Sequence, residues 1–125
     1  MKNPRFILAT GAVLMALAVG FGAFGAHIVQ GRLTPDRFDV YQTGVQYHFY
    51  HALGLLLLGL ISMTVRDSKW LAWSGWCLLT GVVIFSGSLY ILTLTDTPWL
   101  GAVTPLGGVA FILGWLLLAT GVLKK

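Results

Sequence analysis

Phe6–Gly31 reads FILATGAVLMALAVGFGAFGAHIVQG, 26 residues without one Asp, Glu, Lys or Arg. About 20 apolar residues suffice for a helix to cross a bilayer, so this stretch is long enough to span. Three more charge-free stretches lie further along, Val40–Val65, Trp70–Thr95 and Thr97–Leu123, of 26, 26 and 27 residues. Across the 125 residues 57% are apolar and 10% charged, against roughly a quarter charged in an ordinary soluble domain. That balance excludes a disordered chain, a nucleic-acid-binding domain and a soluble enzyme. It predicts an all-α fold: an integral membrane four-helix bundle forming a single domain over 1–125, with spans at about 5–28, 43–65, 70–94 and 101–123.

The charges that remain set the expected orientation. Four spans place both termini and the Arg66–Lys69 loop on one side, with Lys2, Arg5, Arg66, Lys69, Lys124 and Lys125; the other side holds only Arg32 and Arg37. Positive residues stay cytoplasmic, so both termini are expected inside a bacterial inner (plasma) membrane, and the basicity reports topology rather than a nucleic-acid partner. The apolar run after Lys2 and Arg5 has no polar break before His27, which makes it a span rather than the shorter core of a secretory signal. Cys77 has no second cysteine to pair with and reads as a packing residue.

All four prolines come directly after a capping residue: Asn3–Pro4, Thr34–Pro35, Thr97–Pro98 and Thr104–Pro105. A cap followed by Pro starts a helix, because Pro has no N–H to leave unpaired in the first turn. Thr34–Pro35 predicts a short outer interfacial helix over 35–43 that turns into the second span near Gly44. Thr97–Pro98 and Thr104–Pro105 compete for the start of the fourth. Trp70, Trp73, Trp76 and Trp99 flank spans as an interfacial belt. Gly11, Ala18 and Gly25 repeat every seven residues in span one, as Gly107, Gly114 and Gly121 do in span four. Such stripes permit close helix approach, so spans one and four are expected to pack on each other or on a second copy.

The polar residues inside the spans are few. His27 comes late in span one; His48 and His51 come early in span two, three apart and so on one helix face. Gln46, Tyr47 and Tyr50 lie beside them, Ser86, Ser88 and Tyr90 reach a similar expected depth from span three, and Thr104 from span four. All four spans would then supply one outward-facing polar layer. Ionisable groups at membrane depth point to function, although interhelical hydrogen bonding alone would account for these residues. The alternatives are a metal or haem site on His27, His48 and His51 and a pocket for a quinone, lipid headgroup or other small molecule. No Asp or Glu lies inside a span, which argues against a carboxylate proton relay. No G-x-S-x-G elbow or hydrolase triad is visible, and the Gly20–Gly25 glycines come after no strand and serve packing rather than phosphate binding.

GAFGAH (Gly22–His27), FDVYQTGVQYHFYHALGLL (Phe38–Leu56), FSGSLY (Phe85–Tyr90) and TPLGGVAFILGW (Thr104–Trp115) resemble the domain of unknown function 423 family, the YgdD-type small bacterial inner-membrane proteins. The motif positions present are Gly22, Gly25, His27, Gln42, Gly44, Gln46, Tyr47, His48, Tyr50, His51, Ser86, Ser88, Thr104, Pro105, Gly107 and Gly108. The resemblance implies four spans and an inner-membrane location and brings no reaction with it. The expected function is therefore a non-enzymatic accessory or ligand- or lipid-binding bundle, without a required cofactor. Its partners would be the lipid bilayer and a homo-oligomer or larger membrane complex. The alternatives are a haem-, copper- or zinc-binding redox protein, and an oligomeric transporter or channel.

Overall fold

The computed structural model describes residues 1–65 and 67–124, and among these there is no strand. Helix α1 covers Pro4–His27, α2 Pro35–Thr64, α3 Lys69–Gly81, α4 Gly87–Thr95 and α5 Thr104–Leu123. A π-helical turn, Val82–Ser86, joins α3 to α4 within one membrane-length segment. The caps explain the starts. Asn3 Oδ1 accepts the Arg5 N–H at 3.0 Å, Thr34 Oγ1 the Arg37 N–H at 3.3 Å, and Ser68 Oγ the Leu71 N–H at 3.3 Å, each meeting a donor left free in a first turn. Both contested prolines start something: Pro98 opens a 3-10 turn, Pro98–Ala102, and the α-helix begins at Thr104 with Pro105 beside it.

Among the described residues four helices are long and apolar enough to cross a membrane, and the expected all-α membrane architecture holds. The separate interfacial helix over 35–43 does not form: α2 runs unbroken through all 30 residues. Gly44 was expected to mark a turn, but a Cβ there would lie 3.1 Å from the Tyr90 ring and 3.3 Å from Leu89 Cβ. It serves close packing, and no glycine in the described residues has a positive φ. At 1.5 Å per residue α2 is about 45 Å long, more than the roughly 30 Å hydrocarbon core, so its charged first turns extend beyond the apolar layer.

The glycine stripes face differently from expectation. α1 packs along α2, and α5 packs along α3 and the π turn; α2 joins the two pairs by packing on α3, α4 and the π turn. A Cβ on Gly11 would stand 3.0 Å from Leu56 N and 3.2 Å from the Ala52 carbonyl, and Gly25 lies under the Tyr41 ring. Gly107, Gly114 and Gly121 close on Phe85, Leu78 and Leu71. Both seams are thus filled inside the protomer, by α2 and by the α3 segment, and neither is left for a second copy. Short connections favour pairing of consecutive helices, which is why each terminal span packs on its sequence neighbour. The remaining faces present Val13, Leu53, Leu57, Val83, Ile112 and Leu116 outward, as lipid requires.

Two of the described charges pair across the loop end, Arg37 to Asp96 at 3.2 Å, at an exposed position. Arg66 and Lys125, which enter the expected charge asymmetry, lie outside the described residues.

Candidate functional site

Helix register decides depth. Gly11 meets Ala52 and Leu56, Gly22 meets Val45 and Phe49, Gly25 meets Tyr41, and Gly59 meets Leu8. On this antiparallel register His27 stands level with the α2 turn near Val40. From there to His51 is eleven residues, a rise of about 16 Å. The three histidines therefore do not share one layer: His27 is exposed at the loop end of α1, while His48 and His51 are buried near the middle of the bundle. Among the described residues no three His, Cys, Asp or Glu side chains come together as a metal-binding group.

His51 is fully engaged. Trp115 Nε1–H donates to its Nε2 at 3.1 Å, which requires that nitrogen to be unprotonated. Its Nδ1, 2.7 Å from the Tyr47 carbonyl, must then carry the proton and donate it. The ring is neutral with both nitrogens used, and it stacks on Phe111 at 3.5 Å between centroids, 10° from parallel. Tyr47 covers the same ring at 6.0 Å and packs on Phe85 at 4.6 Å.

His48 is not fully engaged. Its Nδ1 lies 2.9 Å from the Tyr90 hydroxyl. Its Nε2 is buried and makes no hydrogen bond of ordinary geometry among the described residues, although the Leu14 backbone carbonyl of α1 lies close to the ring. With the Tyr90 O–H donating to Nδ1, the ring proton resides on Nε2, a buried donor held by no well-aligned acceptor. The opposite tautomer would leave the phenolic proton without a partner among the described residues. Aromatic rings surround the pair: Phe21 stacks on Tyr90 at 4.3 Å, and Tyr41 lies 5.4 Å from it. Tyr41 is anchored in turn, its hydroxyl donating to the Phe21 carbonyl at 2.6 Å.

The hydroxyls of the third and fourth spans act between helices. Ser86 Oγ–H donates to the Gly44 carbonyl at 2.7 Å, and Ser88 Oγ and Thr104 Oγ1 are 2.6 Å apart. Ser74, which spacing did not single out, donates to the Gly114 carbonyl at 2.7 Å. The π turn sets this geometry. One extra residue in a helix turn rotates every later side chain about the helix axis, and Ser86, the last residue of the turn, faces Gly44. Gln46 and Tyr50 point away from the buried centre and are exposed.

Sequence reasoning passed over Trp115, Tyr41, Phe21 and Phe111. A Trp well inside a span, far from either interface, was the available signal, because an indole N–H in hydrocarbon needs an acceptor. Nothing in a single sequence announces the π turn. The larger open clefts lie elsewhere. One of about 530 Å³ runs along Asp39, Gln42, Thr43, Val45 and Gln46, and two lie at the end bearing the termini.

A family model described as "Protein of unknown function (DUF423)" matches residues 21–108, which include both buried histidines, the π turn and Gly107. The chain is similar to the UPF0382 membrane protein YwdK of Bacillus subtilis, 44% identical over 120 residues, covering 96% of this chain and 98% of that protein. It is likewise similar to UPF0382 membrane proteins of Staphylococcus epidermidis, at 46% identity, and Staphylococcus aureus, at 42%, each covering 96% of this chain and 97% of the relative. No solved structure matches it.

Proposed function

The chain belongs to the DUF423 family of membrane proteins, and from that premise we propose that it is a non-enzymatic bundle that binds a lipid-soluble ligand through His48. One observation carries this: buried His48 Nε2 makes no hydrogen bond of ordinary geometry, with only the Leu14 carbonyl close to the ring, whereas both nitrogens of neighbouring His51 are used. An unpaired buried donor costs about 1–3 kcal/mol, and a ligand carbonyl would relieve that cost. Phe21, Tyr41 and Tyr90 close around it, packed on one another, and a quinone-like ring would take the place of half-buried Phe21 in that stack. Ser86, Ser88 and Thr104 hold the helices together in this reading. The redox alternative loses its ligand set, because His27 is remote and His51 Nε2 already accepts from Trp115.

The test is equilibrium binding of a short-chain benzoquinone to protein purified in mild detergent, read by native mass spectrometry alongside a visible spectrum and metal analysis. His48→Leu should weaken binding about five- to tenfold, the worth of one hydrogen bond, while His27→Ala leaves it unchanged. Equal binding by the His48 variant, or none by wild type, overturns the proposal. A Soret band or stoichiometric metal lost on His48→Ala replaces it with the redox reading.

We also propose a bacterial inner-membrane location with both termini cytoplasmic, supported by Lys2, Arg5, Lys69 and Lys124 at the terminal end against Arg32 and Arg37 at the other. Single cysteines introduced at Gln30 and Lys124 of a Cys77→Ala background report on this in intact cells. A membrane-impermeant maleimide should label position 30 and spare position 124, and the reverse pattern overturns the orientation.

A further inference from the structure

We infer that the terminal end of the bundle holds a phosphate-bearing anion, the headgroup of an acidic phospholipid, in the cleft between the start of α1 and the end of α2. The cleft is about 470 Å³ and is lined by Lys2, Asn3, Arg5, Ser62, Met63 and Asp67. Ser62 is the independent sign of a ligand. It is 8% exposed, its Oγ has no hydrogen-bond partner among the described residues, and it lines this cleft and the smaller one beside it. A helix serine ordinarily satisfies itself by donating to the carbonyl one turn back; Thr10, Thr43 and Thr120 do so here, and Ser62 does not. Its hydroxyl is a donor with no acceptor among the described residues.

The surroundings favour an anion as that acceptor. Lys2 and Arg5 are exposed cations, and the only ion pair among the described residues joins Arg37 to Asp96 at the opposite end. The N-terminus of α1 adds the positive end of a 24-residue helix dipole. Asp67 opposes this with one carboxylate against two permanent cations. Since Gly59 packs on Leu8, Ser62 stands level with Arg5, where the apolar run gives way to charge and phospholipid phosphates lie. Basic pockets between membrane helices at that level are suited to acidic headgroups. Lys69 and Lys124, both about 5 Å from the Trp70 ring, keep the rest of this end basic.

The full chain, purified in mild detergent, is titrated with short-chain phosphatidylglycerol, with phosphatidylcholine of the same chain length, and with inorganic phosphate, and complexes are counted by native mass spectrometry. One phosphatidylglycerol should bind in preference to phosphatidylcholine. Ser62→Ala should weaken it about five- to tenfold, Ser62→Thr should retain it, and the surface pair Lys2→Gln/Arg5→Gln should abolish the preference. Displacement by millimolar inorganic phosphate assigns the site to free phosphate, and persistence assigns it to the lipid headgroup. Should Ser62→Ala not fold, the Lys2/Arg5 pair carries the test. Equal binding of the two lipids with no effect of phosphate, or unchanged binding in the charge variants, overturns the inference.

Discussion

Gly107→Ala is expected to destabilise the folded bundle by about 2–3 kcal/mol, while Gly108→Ala one residue on leaves it as stable or up to about 1 kcal/mol more so. A Cβ at Gly107 would stand 2.7 Å from Phe85 Cβ and 2.8 Å from Phe85 Cα, and closest of all to Phe85 N. These are atoms at the backbone of the π turn, not the end of a flexible side chain, so relief requires α5 to move away from the turn. That movement would also stretch the 2.6 Å contact between Ser88 and Thr104. The roughly 1 kcal/mol of helix propensity that alanine recovers over glycine offsets only part of the loss. At Gly108 the nearest atom is Phe85 Cδ2 at 4.0 Å, an ordinary contact, and at Gly87 nothing lies within 4 Å. Unfolding by denaturing detergent in mixed micelles measures Gly107→Ala and Gly108→Ala, with Gly87→Ala as an unhindered control. Equal loss at Gly107 and Gly108 would show that α5 does not press on the π turn at this register.

His51→Ala is the second large effect, a loss of about 3 kcal/mol. Two costs combine: the cavity left under Phe111, and the Trp115 N–H stranded where no water can replace its acceptor. Trp115→Phe keeps most of the volume and removes the donor, leaving the His51 Nε2 lone pair unmet, at about 1 kcal/mol. If the hydrogen bond operates, the double variant costs less than the sum, with a coupling of about 0.6–1.7 kcal/mol. His27→Ala, at an exposed helix end, should change stability by less than about 0.5 kcal/mol. Additive behaviour of His51 and Trp115 would remove the bond from the account of the core.

Much of the architecture is legible in the sequence, since a bilayer core admits few unpaired charges and twelve ionic side chains in 125 residues leave only four gaps wide enough to cross it. The cap–Pro pairs mark where helices start, because a missing N–H is harmless only in a first turn. The site is less legible. His48, His51, Ser86, Ser88, Tyr90 and Thr104 are recognisable as unusual in hydrocarbon, yet His27, with the same chemistry, stands about three turns away. A seven-residue glycine stripe shows that a helix is closely approached and leaves the approaching helix open. For that reason Gly11–Gly25 and Gly107–Gly121 suggest each other or a second copy in sequence, and meet α2 and α3 in the fold.

By itself the sequence determined that this chain has four segments able to cross a membrane and which residues cap its first two helices, because both rest on local chemistry: charge spacing, apolar length and caps. Only the tertiary structure decided which polar groups are already satisfied. His48 meets Tyr90 across 42 residues and His51 meets Trp115 across 64. Those pairings depend on helix register, on the unbroken course of α2 past Gly44 and on the π turn that ends at Ser86. The physical reason is that a hydrogen bond is made or lost within a few tenths of an ångström, far finer than any periodicity resolves. Which buried nitrogen and hydroxyl among the described residues lack a well-formed hydrogen bond is therefore visible only after the helices have been put together.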